Sequence, residues 1–167
     1  YEVIDKLTVL ALNTVKEKSS DLSDKELKKI ADTVALGALK YNDLKQHPYS
    51  DITFDWNAML DLGGNSGPYL QYTYARLANI LKKVGDWDED DPSLLIDPLE
   101  RKIMRKILDF PETVTECSRL YTLNALVLYL YELASFTNRF YEQIRIIEDQ
   151  NKERRNARLL LVETTAG

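Results

Sequence analysis

Residues 63–76 read "GGNSGPYLQYTYAR". Gly63, Gly64 and Gly67 punctuate a turn. Pro68 suits the first position of a helix, where its missing N–H leaves no bond unmade. The helix that follows carries Tyr69, Tyr72, Tyr74 and Arg76. Core helices favour Leu, Ile and Ala, and solvated ones favour Glu and Lys, so this one has to serve two surroundings. At about 100° per residue, Leu70, Tyr74, Leu77, Leu81 and Val84 fall within an arc of about 80°, the expected core face. Tyr69, Tyr72, Arg76, Asn79 and Lys83 fall within a second arc of similar width, about 140° away. Two accounts of that second face are open. The rings pack on a neighbouring helix while Arg76 pairs with an acid, or the rings stack nucleobases while Arg76 and Lys83 hold phosphates.

The surrounding chain is helical in pattern. Residues 3–18 place Val3, Leu7, Leu10 and Ala11 on one side. Ser23 with Glu26 three residues on forms a capping box, and Leu27, Ile30, Val34 and Ala38 repeat at helical spacing. Pro48 ends that helix. Ile52, Phe54 and Trp56 alternate, which predicts at most a short β segment near residues 50–55, followed by a brief helix over 57–62. The helix opened by Pro68 runs to about Val84. Beyond it, "LLIDPLERKIMRKILDF" at 94–110 is amphipathic, with Leu99, Ile103, Ile107 and Leu108 expected inward. Pro111 is expected to break that helix, with a short helix over 112–118, a long one over 119–147 and a last one from about Asn151. The fold class expected is all-α, with a compositional break near Gly63.

Composition excludes several classes of function. The 167 residues hold one cysteine, Cys117, and one histidine, His47. An internal disulfide is therefore excluded, and no metal centre is expected from so few soft ligands. Asp86, Asp88 and Asp90 mimic the start of an EF-hand loop, but Asp91 stands where glycine belongs and Asp97 where glutamate belongs; a solvated acidic loop is the better account. No apolar run of about 18 residues occurs, so no membrane contact is expected. The net charge is −5, yet residues 86–100 alone hold seven acids and no base, leaving +2 on the other 152. Residues 63–85 hold Arg76, Lys82 and Lys83 and no acid. Such a surface suits a chosen polyanion and disfavours indiscriminate binding.

Four stretches resemble one family. "FDWNAMLDLGGNSGPYLQYTYAR" at 54–76 is similar to the junction in arginyl-tRNA synthetases, class I enzymes. There a Phe-Asp-Trp segment leads through a Gly-Asn-Ser/Thr turn into a Pro-Tyr-Leu/Met-Gln-Tyr helix ending in Arg. "ADTVALGALKYNDL" at 31–44, "LYLYELASFTNRFYE" at 128–142 and "ARLLLVETTAG" at 157–167 resemble further segments of that family, in the same order. The resemblance implies a helical bundle of the class I anticodon-binding type. It implies a connection following the catalytic domain, in the stem-contact region, over residues 1–62. It implies an anticodon-binding domain over 63–167, truncated at its last helix. It implies tRNA(Arg) and the parent enzyme's catalytic domain as partners, in the cytoplasm or an organellar matrix. ATP with magnesium would belong to that catalytic domain, and no cofactor or catalytic residue is expected here.

Residue by residue, the resemblance places Tyr72 and Arg76 on the tRNA-facing side of the first helix and Tyr141 on the facing long helix. One turn on, where some members carry an aromatic, stands Arg145, which suits a phosphate or cation–π contact. With Tyr69, Lys83 and Asn138 nearby, these are the expected RNA-binding residues. The competing classes are a helical scaffold domain without RNA binding, a small helical enzyme, and the anticodon domain of a related synthetase such as that for cysteine. The apolar run at 159–162 predicts a last helix buried on most sides, with a dimer through the truncated end as a further expectation. The isolated chain, lacking the nucleotide signatures of class I enzymes, is expected to show no arginine-dependent ATP–pyrophosphate exchange; measurable exchange from a clean preparation would overturn the domain assignment.

Overall fold

The computed structural model describes residues 2–18, 22–50, 54–88 and 91–167. These form eight α-helices: α1 (Glu2–Lys18), α2 (Asp24–Leu44), α3 (Trp56–Met59), α4 (Gly67–Val84), α5 (Pro98–Leu108), α6 (Phe110–Leu120), α7 (Asn124–Gln143) and α8 (Lys152–Ala166), with a 3₁₀ turn at Pro92–Leu94. No strand occurs among the described residues, in keeping with the all-α expectation. No described helix is long and apolar enough to cross a membrane.

Local chemistry fixes most helix starts. Ser23 Oγ accepts from Glu26 N at 3.4 Å, and Glu26 Oε2 accepts from Ser23 N at 3.0 Å, completing the predicted capping box. A second box joins Asp97 and Glu100 at the start of α5. Ser66 caps α4 by accepting from Tyr69 N at 3.2 Å, and Pro68 sits in the first turn.

The allowance of at most a short β segment stands, while several helix boundaries and burial expectations are corrected for identifiable reasons. Residues 51–53, with Ile52, lie outside the described residues, but Phe54 and Asp55 form no strand. Trp56 opens α3 instead, because Asp55 Oδ1 accepts from both Asn57 N and Ala58 N at 3.0 Å. Pro111 lies inside the first turn of α6 rather than in a gap. The long helix begins at Asn124, since Tyr121 adopts a left-handed conformation (φ 52°) that ends α6, with its N–H bonded to the Cys117 carbonyl. Leu108, at the α5–α6 corner, is largely exposed, as are Val3 and Ile30 in part.

Two apolar clusters result. Leu7, Ala11, Ala31, Ala35, Ala38 and Met59 unite α1, α2 and α3. Leu77, Ile80, Ile103, Leu133, Phe140 and Leu159 lead the larger cluster of α4, α5, α7 and α8. In the run at 159–162, Leu159, Leu161 and Val162 are buried. The clusters meet where α4 begins against α2. A Cβ on Gly67 would sit on the Gly37 carbonyl, well inside van der Waals contact. Gln71 reaches across to donate to the Thr33 carbonyl at 3.2 Å. The Tyr41 hydroxyl donates to Asn65 Oδ1 in the turn before α4, and burial, reinforced by Tyr131, pushes its pKa up to about 12.

Gly67→Ala is expected to destabilise the chain by about 1–3 kcal/mol, as overpacking does. Gly37→Ala meets only the movable Gln71 side chain and gains helix propensity, so it should cost less. Equal urea midpoints for the two variants would show that the close approach does not set this crossing.

Candidate nucleic-acid interface

The site lies where α4 and α7 cross. Thr73, on the core side of α4, donates its hydroxyl to the Tyr69 carbonyl at 2.9 Å. Its Oγ1 also accepts from Asn138 Nδ2 on α7 at 2.7 Å. Asn138 Oδ1 accepts in turn from Arg76 Nη1 at 3.1 Å. Asn138 is only 7% exposed, so a buried polar seam ties the two helices together and leaves no member unmatched. The guanidinium of Arg76 then lies over two rings, 4.4 Å from the centroid of Tyr72 and 4.7 Å from that of Tyr141. Glu142 Oε1 stands 3.6 Å from Arg76 Nη1.

Tyr72 and Tyr141 are 42% and 41% exposed, so both keep ring surface open to a ligand. Tyr69 is half-buried, its ring 5.7 Å from that of Tyr131, and packing accounts for much of it. Lys83 and Arg145 are exposed; Arg145 Nε lies 4.0 Å from Glu148 Oε2, a loose surface pair. Two cavities flank Arg76. One of about 330 Å³ is lined by Tyr69, Tyr72, Arg76, Asn138 and Glu142. The other, of about 570 Å³, is lined by Arg76, Lys83, Tyr141, Glu142 and Arg145. All seven expected residues therefore border one cavity or the other.

Tyr74 requires a correction. It was expected in the core and is 60% exposed. The buried stripe of α4 runs through Thr73, Leu77 and Ile80, about 50° round the helix from the expected arc. A threonine does not register as a core residue in a hydropathy pattern. It becomes one here because Asn138, 65 positions away, satisfies its hydroxyl. The same rotation carries Arg76 to the margin of the α4–α7 contact.

Behind the second cavity lies an ionic cluster that the sequence did not reveal. Glu100 Oε1 on α5 pairs with Arg158 Nε on α8 at 2.6 Å, and Arg158 also pairs with Asp149. Arg154 Nε pairs with Asp149 Oδ2 at 2.6 Å. Arg158 Nη1 donates to the Arg145 carbonyl at 3.1 Å, which anchors the 144–151 segment forming the cavity wall. The Arg154 hydrogen bond, against the opposing effect of burial, holds the Asp149 carboxyl at a pKa of about 2.

Comparison with known families and proteins bears on this face. Residues 70–167 match the DALR anticodon binding domain, and residues 2–56 match the catalytic domain of tRNA synthetases class I (R). The arginine–tRNA ligase of Proteus mirabilis (strain HI4320) is 37% identical over 168 residues, which is 99% of this chain and 29% of that protein. The chain thus spans about 29% of the length of the curated relatives it matches. Among solved structures, Thermus thermophilus arginyl-tRNA synthetase superposes with a TM-score of 0.89 at 34% identity. That from Plasmodium falciparum gives 0.75 at 26%. Each match covers 99% of this chain and 29% of the other.

The buried cluster predicts a pH dependence. The folded pKa of Asp149, about 2, lies below the ordinary value of about 3.9. Its contribution is therefore complete above pH of about 4 and is lost as pH falls through about 2. Asp149→Asn should cost of order 3 kcal/mol at neutral pH, as for breaking a buried pair, and should flatten the acid limb of a urea-midpoint titration. An unchanged acid limb would exclude Asp149 as its source.

Proposed function

Because the chain belongs to the DALR anticodon binding domain family, we propose that its α4–α7 face grips the anticodon loop of an arginine tRNA within an arginine–tRNA ligase. The observation that carries this reading is Arg76, held by Asn138 and laid over two half-exposed tyrosine rings on the ridge between two cavities. Each ring has one face against the guanidinium, so loop bases stack on the surfaces left open. Arg76, Lys83 and Arg145 supply positive charge for phosphates. Thr73 and Asn138 position Arg76 rather than touch RNA. The reading divides the chain into a connection over 1–62 and an anticodon domain over 63–167, supported by the two core clusters.

In the whole ligase, arginine would be activated with ATP and passed to the terminal ribose of the tRNA, in the cytoplasm or an organellar matrix. Among the described residues, no glycine-rich turn joins a strand to a helix in the manner that cradles nucleotide phosphates. We assign ATP, magnesium and the chemistry to the remainder of such an enzyme, and loop recognition to this part.

A mobility-shift titration tests the reading. The chain should retard an arginine tRNA in preference to a non-cognate tRNA, with affinity falling steeply as salt rises. Tyr72→Ala should weaken binding by about 1–3 kcal/mol and leave stability within about 1 kcal/mol, as at a surface position. Arg76→Ala should reduce the slope of log affinity against log salt by about 0.7–0.9 for each phosphate that the guanidinium neutralises. Tyr74→Ala, exposed on the other flank of α4, should alter neither quantity. Equal, salt-independent retention of both tRNAs would favour a scaffold domain.

A further inference from the structure

We infer that Glu142 is the base-reading acceptor of this face, selecting a loop nucleotide that presents an exocyclic amino group. The inference rests on the reading of the α4–α7 face as an RNA-binding surface and adds a residue to it.

Glu142 is an anomaly on a surface that holds a polyanion. Its side chain is 62% exposed, and it borders both cavities beside Arg76. A carboxylate there repels phosphate. Nor is it needed to hold Arg76, whose guanidinium is already fixed by Asn138 at 3.1 Å and by two rings. An exposed ion pair at 3.6 Å adds little to such an arrangement. The amide of Asn138 is buried, with its Nδ2 donating to Thr73 and its Oδ1 accepting from Arg76, so it presents little to a base. Beyond its loose pair with Arg76, the Glu142 carboxylate keeps acceptor capacity open to a ligand in either cavity.

An ionised carboxylate only accepts. Cytosine N4, adenine N6 and guanine N2 each offer amino hydrogens to it, as in the known pairing of acidic side chains with cytosine N4. Uracil offers one ring N–H between two carbonyl oxygens, which a carboxylate repels. Glu142 therefore admits an amino-bearing base and rejects uracil. Arg76 beside it neutralises the carboxylate when no base is bound, which lowers the cost of placing an acid on this face.

The test uses the 167-residue chain and a full-length arginine tRNA. Each anticodon-loop base in turn is replaced by a counterpart that lacks its amino group: uridine for cytidine, inosine for adenosine or guanosine. At one loop position the replacement should weaken wild-type binding about five- to hundredfold, the range for one good base-edge contact. Glu142→Gln should bind both forms alike at that position, and Glu142→Asp should keep part of the discrimination. Melting curves of both variants should match the wild type. If Glu142→Gln still discriminates, or tightens every tRNA equally as loss of a repelling charge would, the inference is overturned while the RNA-binding reading stands. If the wild type binds no tRNA in a salt-dependent manner, the underlying reading fails and takes the inference with it.

Discussion

The backbone contact between Gly37 and Gly67 is the constraint on which the rest of the molecule depends. The approach is possible because Gly67 carries no Cβ: a methyl group there would overlap the Gly37 carbonyl. The contact brings the first turn of α4 down onto α2 and fixes where that helix leaves the smaller cluster. Gln71 and the Tyr41–Asn65 pair flank it with hydrogen bonds. Once the origin and direction of α4 are set, the angle at which its sides meet α7 is set too. The site is thereby tied to a packing contact several turns away.

Along α4 the chain then uses polar atoms where an apolar seam would serve for stability alone. Thr73 and Asn138 are buried, and their polar atoms find partners in each other, in a carbonyl and in Arg76. A seam of this kind fixes orientation, because sliding or rotating either helix strands a buried donor. Leucines in the same places would pack but would not specify where the guanidinium comes to rest. The cluster of Glu100, Asp149, Arg154 and Arg158 acts likewise on the opposite wall, clamping the segment after α7 to α5 and α8. The two walls of the larger cavity are thus held by separate polar networks, while the apolar core beneath them supplies the bulk of the burial.

Much of this was legible in the residues. The helical periodicities, the Ser23–Glu26 box and the Gly/Pro turn before α4 are local signals, and local signals survive into structure. So does the separation of Tyr72 and Arg76 from Leu77, since it follows from helix geometry. The larger failures depend on a partner distant in sequence, or on a conformation that residue type does not advertise. Tyr74 looked apolar and Thr73 polar, yet Asn138 reverses their places. Tyr121 takes a left-handed conformation without being Gly or Asn, so α6 runs on to Leu120 and the long helix starts at Asn124 rather than near residue 119. The ionic cluster joins residues up to 58 positions apart, beyond the reach of any spacing rule. Glu142 was visible all along as an acid after Tyr141, but only the crossing of α4 and α7 sets it beside Arg76.

The charge distribution gives the site its logic. A chain of net charge −5 repels nucleic acid in general, so the few cations on the α4–α7 face must act over short range, within a Debye length of about 8 Å in physiological salt. Affinity then depends on contacts rather than on the long-range field. Contacts of the kind built here, flat rings beside a fixed guanidinium, suit unstacked bases and not a duplex. A loop that splays its bases can meet both cavities at once, whereas a regular helix offers this face only its phosphates. On the proposed reading, the net negative charge and the small cationic seam work toward one end: they disfavour nucleic acid that lacks the right shape, so that discrimination begins before any base edge is read.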